Sequence, residues 1–165
     1  MTTPQSIQEH LLTDEFAWLS LDIKKNIITL LQHDTTILYP DAIDILEHCI
    51  SQNIPFCLLS NLSGDYKDNI DKLIINPYTD YHNKLFTVLY SCDMGYKKPQ
   101  PEAYEWAITF LKRQGVEEIT MIGDNPQYDY KKPKELGLQA KWLNRRNKPH
   151  SFPVREVISS LDELV

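Results

Sequence analysis

The sequence has no excess of basic charge: 17 Lys and Arg stand against 23 Asp and Glu, a net charge of −6. That balance argues against a nucleic-acid surface and against docking on an anionic membrane. Cysteine is scarce, with Cys49, Cys57 and Cys92 scattered along the chain and no Cys-x-x-Cys pair among them. A zinc site is therefore not expected, and buried thiols in a reducing compartment are the default reading. No window approaches the ~20 apolar residues of a membrane span. The first residues, "MTTPQSIQEHLLTDEF", lack the basic-then-apolar order of a signal peptide. The chain therefore reads as cytoplasmic. No internal repeat or low-complexity tract is present.

What remains is a chain of 165 residues that is 42% hydrophobic and 10% aromatic, enough for one domain with its own core. From Pro55 onward a rhythm appears. "PFCLLS" (55–60), "KLFTVLYS" (84–91), "ITMIGD" (119–124) and "LQAKWLN" (138–144) are short apolar runs of the kind buried on both faces of a sheet. Between them, "GDYKDNIDKLI", "PEAYEWAITFLKRQ" and "PQYDYKKPKEL" read as helices. In the second of these, Pro101 and Glu102 suit a first turn, and Tyr104, Ala107, Ile108 and Leu111 share a face. Lys112 and Arg113 sit at the negative end of the dipole, and Gly115 and Gly137 suit left-handed caps. "YPDAIDILEHCISQN" predicts an earlier helix started by Pro40 and Asp41. Residues 5–33 carry Leu12, Phe16, Leu19, Ile23 and Ile27 at helical spacing. The tail "VREVISSLDELV" predicts a short final helix.

Strand and helix in alternation predict an α/β fold with a parallel sheet. In such sheets the working residues lie just beyond the carboxyl ends of the strands. Three strand ends here are polar: Ser60–Asn61, Ser91 with Asp93 close behind, and Asp124. Ser60 with the N–H groups of Asn61 and Leu62 could cradle phosphate oxygens. Lys98 offers a point charge for phosphate, and Asp124 and Asp129 offer hard oxygen ligands for Mg²⁺. Hydroxyl, lysine and carboxylates in that order suit magnesium-assisted phosphoryl chemistry. His33, His48 and His82 have no ligand spacing, and Trp18, Trp106 and Trp142 read as packing residues.

Three stretches together resemble the haloacid dehalogenase-like (HAD) hydrolases. "LLSN" (58–61) is similar to the family's second motif, a strand ending in Ser or Thr. "CDMGYKKPQPEAY" (92–104) resembles the third, with Lys98 in the lysine position. "MIGDNPQYD" (121–129) resembles the fourth, a Gly-Asp step with a second Asp five residues on. The resemblance runs over roughly residues 38–145. It implies a Rossmann-like three-layer sandwich, an Mg²⁺ cofactor and a small phosphorylated substrate. It also implies Ser60 and Asn61 at the phosphate, Lys98 as a catalytic and phosphate-binding cation, and Asp124 and Asp129 at the metal.

The family's first motif, Asp-x-Asp-Gly-Thr, carries the nucleophile, and no Asp-x-Asp occurs in this chain. The nearest match, "IITLLQHDTT" (27–36), places Asp34 as the catalytic acid/base but puts Gln32 where the nucleophile belongs. An amide forms no acyl-phosphate. The other reading makes the first 35 residues the tail of a helical cap, with the first motif before Met1, and helical periodicity through 12–31 favours it. The expected organisation is a helical segment at 1–36, cap remnant or degenerate first strand, followed by a HAD-like core at 37–165. On either reading the nucleophile is missing, which implies an impaired enzyme or a phosphate- or partner-binding protein. An incomplete sheet would also favour a homo-oligomer.

Overall fold

The computed structural model describes residues 37–165, together with Ser20 and Ile23 as isolated positions before them. The segment 1–36, including Asp34, otherwise lies outside the described residues.

Helix α1, Pro40–Ser51, begins where the sequence puts a proline and an acid in the first turn. Proline loses nothing there because the first N–H groups of a helix have no partner within it. Strand β1 (Phe56–Ser60) leads into helix α2 (Gly64–Ile74), then β2 (Phe86–Tyr90) and the short α3 (Ser91–Met94). Helix α4 spans Pro101–Arg113 and leads to β3 (Thr120–Gly123), followed by a π-helical turn at Pro126–Lys131 that runs into α5 (Lys132–Glu135). Strands β4 (Gln139–Leu143) and β5 (Val157–Ile158) complete the order.

Among the described residues the strand pairs are parallel. β1 pairs with β2 from Phe56↔Phe86 to Ser60↔Tyr90. β3, β4 and β5 form a second ladder, with Gly123 beside Trp142 and Trp142 beside Val157. Among the described residues the two ladders share no strand pair. The α/β fold with parallel strands is as the alternating pattern predicts, since parallel neighbours require a crossover and the helices supply it. Within the described residues no helix is long and apolar enough to cross a membrane.

The core has two centres. Around the first ladder, Phe86, Ala103 and Tyr104 are almost fully buried, and the Phe56 and Phe86 rings stack at 4.9 Å. Around the second, Tyr130, Ala140 and Trp142 pack with Phe152 and Val157. The inward face predicted for α4 is the buried one, with Tyr104 and Leu111 among its contacts. Gly115 and Gly137, both at φ +81°, hold the left-handed turns expected of them.

The tail differs from expectation. In place of one helix, residues 154–165 form a 3₁₀ turn, the two-residue strand β5 and a second 3₁₀ turn at Leu161–Leu164. The β-branched pair Val157–Ile158 finds a better use beside Trp142 and Leu143 of β4. Ser160 then restarts the chain as a cap, its side chain accepting from Asp162 N–H while Glu163 reaches back. The tail is tied to α1 by Asp41. Its carboxylate takes both arms of Arg145 at 2.6 and 2.9 Å, the Ser160 hydroxyl at 2.9 Å and Leu161 N–H at 2.9 Å.

Candidate functional site

The carboxyl ends of β1 and β3 are joined through one residue, Lys98. It follows the left-handed Gly95 and precedes a cis Lys98–Pro99 bond at the entry to α4. Asn61, the first residue past β1, holds the Lys98 backbone from both sides. Its Oδ1 accepts from Lys98 N–H at 2.8 Å, and its Nδ2 donates to the Lys98 carbonyl at 2.8 Å. The Asn61 side chain thus fixes the lysine's backbone with both ends of its amide.

The Lys98 ammonium reaches Asp129 Oδ1 at 2.7 Å, and the two side chains are only 11% and 5% exposed. A charge so enclosed is stable only with a partner. The second oxygen of Asp129 accepts from Asn125 N–H at 3.0 Å, so both carboxylate oxygens have partners. Asn125 in turn caps the π-helical turn, accepting from Gln127 and Tyr128 N–H at 3.0 and 3.1 Å. Gly123 is required beneath this arrangement. A Cβ placed there would lie 2.4 Å from Asp129 Oδ2, inside any tolerable contact.

Three more groups set the walls. Trp142 Nε1 donates to the Asp124 carbonyl at 3.0 Å, fixing the backbone that presents that acid. The Tyr104 hydroxyl donates to the Tyr128 carbonyl at 2.6 Å. Burial, with the nearby charge of Asp129, pushes that phenol well above its ordinary range and keeps it a neutral donor. Ser91 Oγ accepts from Leu62 N–H at 3.0 Å, so that amide is occupied and the expected nest shrinks to the Asn61 N–H and the Ser60 hydroxyl.

Two groups at this junction are open. The Asp124 side chain is exposed, and its carboxylate has no partner among the described residues. The half-buried Ser60 hydroxyl has none either. Asp93 is not part of the site. It pairs with Lys67 at 2.6 Å. Burial raises the Cys92 thiol, and burial pushes the Cys57 thiol up to about 12, so neither is a nucleophile at neutral pH. Among the described residues no three His, Cys, Asp or Glu side chains cluster as a metal cage.

Lys98 joins Asn61, just past β1, to Asp129, beyond β3, and Ser60 and Asp124 are chain neighbours of that cluster. Asp34 lies outside the described residues. The sequence reading missed Asn125, and it had Ser91 as a polar strand end, Tyr104 on an inward helix face and Trp142 as a packing residue without the hydrogen bonds they make. Asn125 had a signal, since an Asn directly before a Pro is a helix-start pattern. Trp142 had none, because nothing local distinguishes an indole that packs from one that also donates.

A family model described as hydrolase, haloacid dehalogenase-like hydrolase, matches residues 5–137. A phosphoserine phosphatase of Thermus thermophilus is 31% identical over 114 residues, which are 68% of this chain and 43% of that protein. This chain thus spans less than half the length of that curated relative. A HAD phosphatase from Thermococcus onnurineus superposes with a TM-score of 0.60 at 28% identity, over 77% of this chain and 56% of that one. The HAD-hydrolase YfnB of Bacillus subtilis, solved bound to magnesium, gives a TM-score of 0.62 over 96% of this chain and 65% of its own. At 20% identity that likeness shows the shared fold.

Proposed function

Because this chain belongs to the haloacid dehalogenase-like hydrolases, we propose that the tips of β1 and β3 form the phosphate-binding half of a phosphoesterase site for a small phosphorylated molecule. The observation that carries this reading is the buried Lys98–Asp129 pair, clamped by Asn61 on one side and Asn125 on the other. Its open neighbours are the Ser60 hydroxyl and the Asp124 carboxylate.

Each residue then has a part its geometry allows. An ammonium has three donors, and Lys98 uses one on Asp129. The remaining two are available to phosphoryl oxygens, joined by the Ser60 hydroxyl and the Asn61 backbone N–H. Asp129 acts through Lys98, holding its charge in place where it neutralises phosphate. Asp124 is the carboxylate free to hold Mg²⁺, an ion that takes one or two carboxylates and completes its shell with water and phosphate oxygens. Asp129, with both oxygens engaged, would support the water shell of such an ion and not ligate it directly. When bound, Mg²⁺ supplies charge neutralisation at the phosphate. The donor set fits that role.

Turnover is proposed to be impaired. The sequence contains no Asp-x-Asp, and the nearest motif places Gln32 at the attacking position, with Asp34 as the acid/base counterpart. The core responsible for binding is assigned to residues 37–165, with 1–36 as an accessory segment. The likeness to a phosphoserine phosphatase supports a phosphomonoester of a small metabolite as the ligand class.

The test is calorimetric titration of inorganic phosphate in the presence of Mg²⁺, beside turnover of p-nitrophenyl phosphate. Binding that is lost in Lys98→Ala, with hydrolysis at background, is the expected result. Hydrolysis abolished by Asp124→Asn would overturn the impairment. Absence of phosphate binding by the wild type would overturn the site itself.

A further inference from the structure

The solvent side of α4 is organised as a surface that meets another. Its inner stripe, Ala103, Tyr104 and Leu111, is buried. Its outer stripe, Glu102, Glu105, Trp106, Thr109, Lys112 and Arg113, is exposed throughout. Those positions recur at three- and four-residue spacing, so they form one continuous face. Trp106 is 52% exposed. With Phe110, Leu89 and Thr87 it lines an open groove between α4 and β2. Among the described residues β2 has no strand on its outer edge. An indole held out beside an apolar groove is the kind of anchor that interfaces use.

The charges identify the occupant. Two acids stand in the first half of the face and two bases in the second, with Thr109 at the centre. None of the four has an ion-pair or hydrogen-bond partner among the described residues. Acids first and bases last also suit the helix dipole. The dipole accounts for that order but not for the exposed indole between them. Set against a second copy lying antiparallel about Thr109, the same order becomes self-complementary. Glu105 falls opposite Arg113 of the other copy, and Trp106 falls opposite Lys112, a cation over an indole face. The face carries as many bases as acids in a chain of net charge −6, so it is a patch on which two copies approach without mutual repulsion.

We propose that α4 is a homodimer interface, two copies packing antiparallel about Thr109 with Glu105–Arg113 ion pairs and Trp106–Lys112 contacts across a two-fold axis. The proposal is independent of the phosphate site.

Charge reversal tests it by sedimentation velocity across a wide concentration range. The wild type is a dimer at the upper end. Glu102→Lys/Glu105→Lys makes the face wholly basic, and Lys112→Glu/Arg113→Glu makes it wholly acidic. Each weakens self-association by about tenfold or more, because like charges then face each other. All four positions are exposed, and circular dichroism verifies that the variants fold. An equimolar mixture of the two variants restores the dimer, since a basic face then meets an acidic one. A wild type that stays monomeric, reversals that leave the dimer intact, or a mixture that fails to re-associate each overturn the proposal.

Discussion

Replacing Lys98 by Met removes the ammonium while keeping an unbranched side chain of similar length. What remains is the Asp129 carboxylate, 5% exposed, with a single N–H donor from Asn125. Breaking a buried pair from one side costs about 3–5 kcal/mol, because the surviving charge keeps its desolvation cost and loses its partner. With a urea dependence of about 2 kcal/mol per molar, a loss of about 4 kcal/mol lowers the unfolding midpoint by about 2 M. Asp129→Asn leaves the mirror problem, an enclosed ammonium facing an amide, and shifts the midpoint in the same direction. The double variant Lys98→Met/Asp129→Asn buries no unpaired charge. Its loss should therefore fall well short of the sum of the two single losses, with a coupling of more than about 2 kcal/mol. Equilibrium urea unfolding followed by tryptophan fluorescence gives all four midpoints. Single variants shifted by less than about 0.5 M would refute the claim that this pair is buried and interdependent. Strict additivity in the double variant would refute it equally.

Gly123→Ala puts a methyl group 2.4 Å from Asp129 Oδ2. It should destabilise by about 1–3 kcal/mol and weaken phosphate binding together with stability; an unchanged urea midpoint would refute the close approach. The Arg145 guanidinium, helped by Leu161 N–H and the Ser160 hydroxyl, holds the Asp41 carboxyl well below its ordinary value of 3.8. A group whose pKa is lower folded than unfolded contributes fully above the unfolded value and loses that contribution as pH falls toward the folded one. Asp41→Asn should therefore cost about 1–3 kcal/mol at neutral pH and flatten the acid limb of the stability curve below about pH 4; identical acid limbs would count against the clamp. Trp142→Phe keeps an aromatic ring in the core but removes the donor to the Asp124 carbonyl. A stability loss of about 0.5–1.5 kcal/mol with weaker Mg²⁺-dependent phosphate binding is expected, and binding equal to wild type would show that the bond does not position Asp124.

The local pattern carried most of the fold. Apolar runs ending at Ser60, Tyr90 and Gly123, separated by helices with proline starts and glycine stops, define parallel strands because each signal acts within a few residues of itself. The tail escaped that logic. Val157 and Ile158 sit within a stretch that reads as helical, and their strand exists only because β4 lies beside them. Propensity gave way there to a partner that no local window contains.

The site divides along the same line. Residue type and order, a hydroxyl, a lysine and carboxylates at successive strand ends, nominate Ser60, Asn61, Lys98, Asp124 and Asp129 as candidates. Which of those residues touch one another and which face solvent was decided by the tertiary structure alone. Two acids five positions apart look equivalent in sequence. In the fold one lies enclosed between Lys98 and Asn125 N–H, and the other faces solvent. Asn61 keeps the backbone N–H that the sequence reading offered to phosphate, while its side chain closes on the loop carrying Lys98. The reason is physical: a side chain's role depends on which donors and acceptors reach it, and those come from parts of the chain tens of residues away.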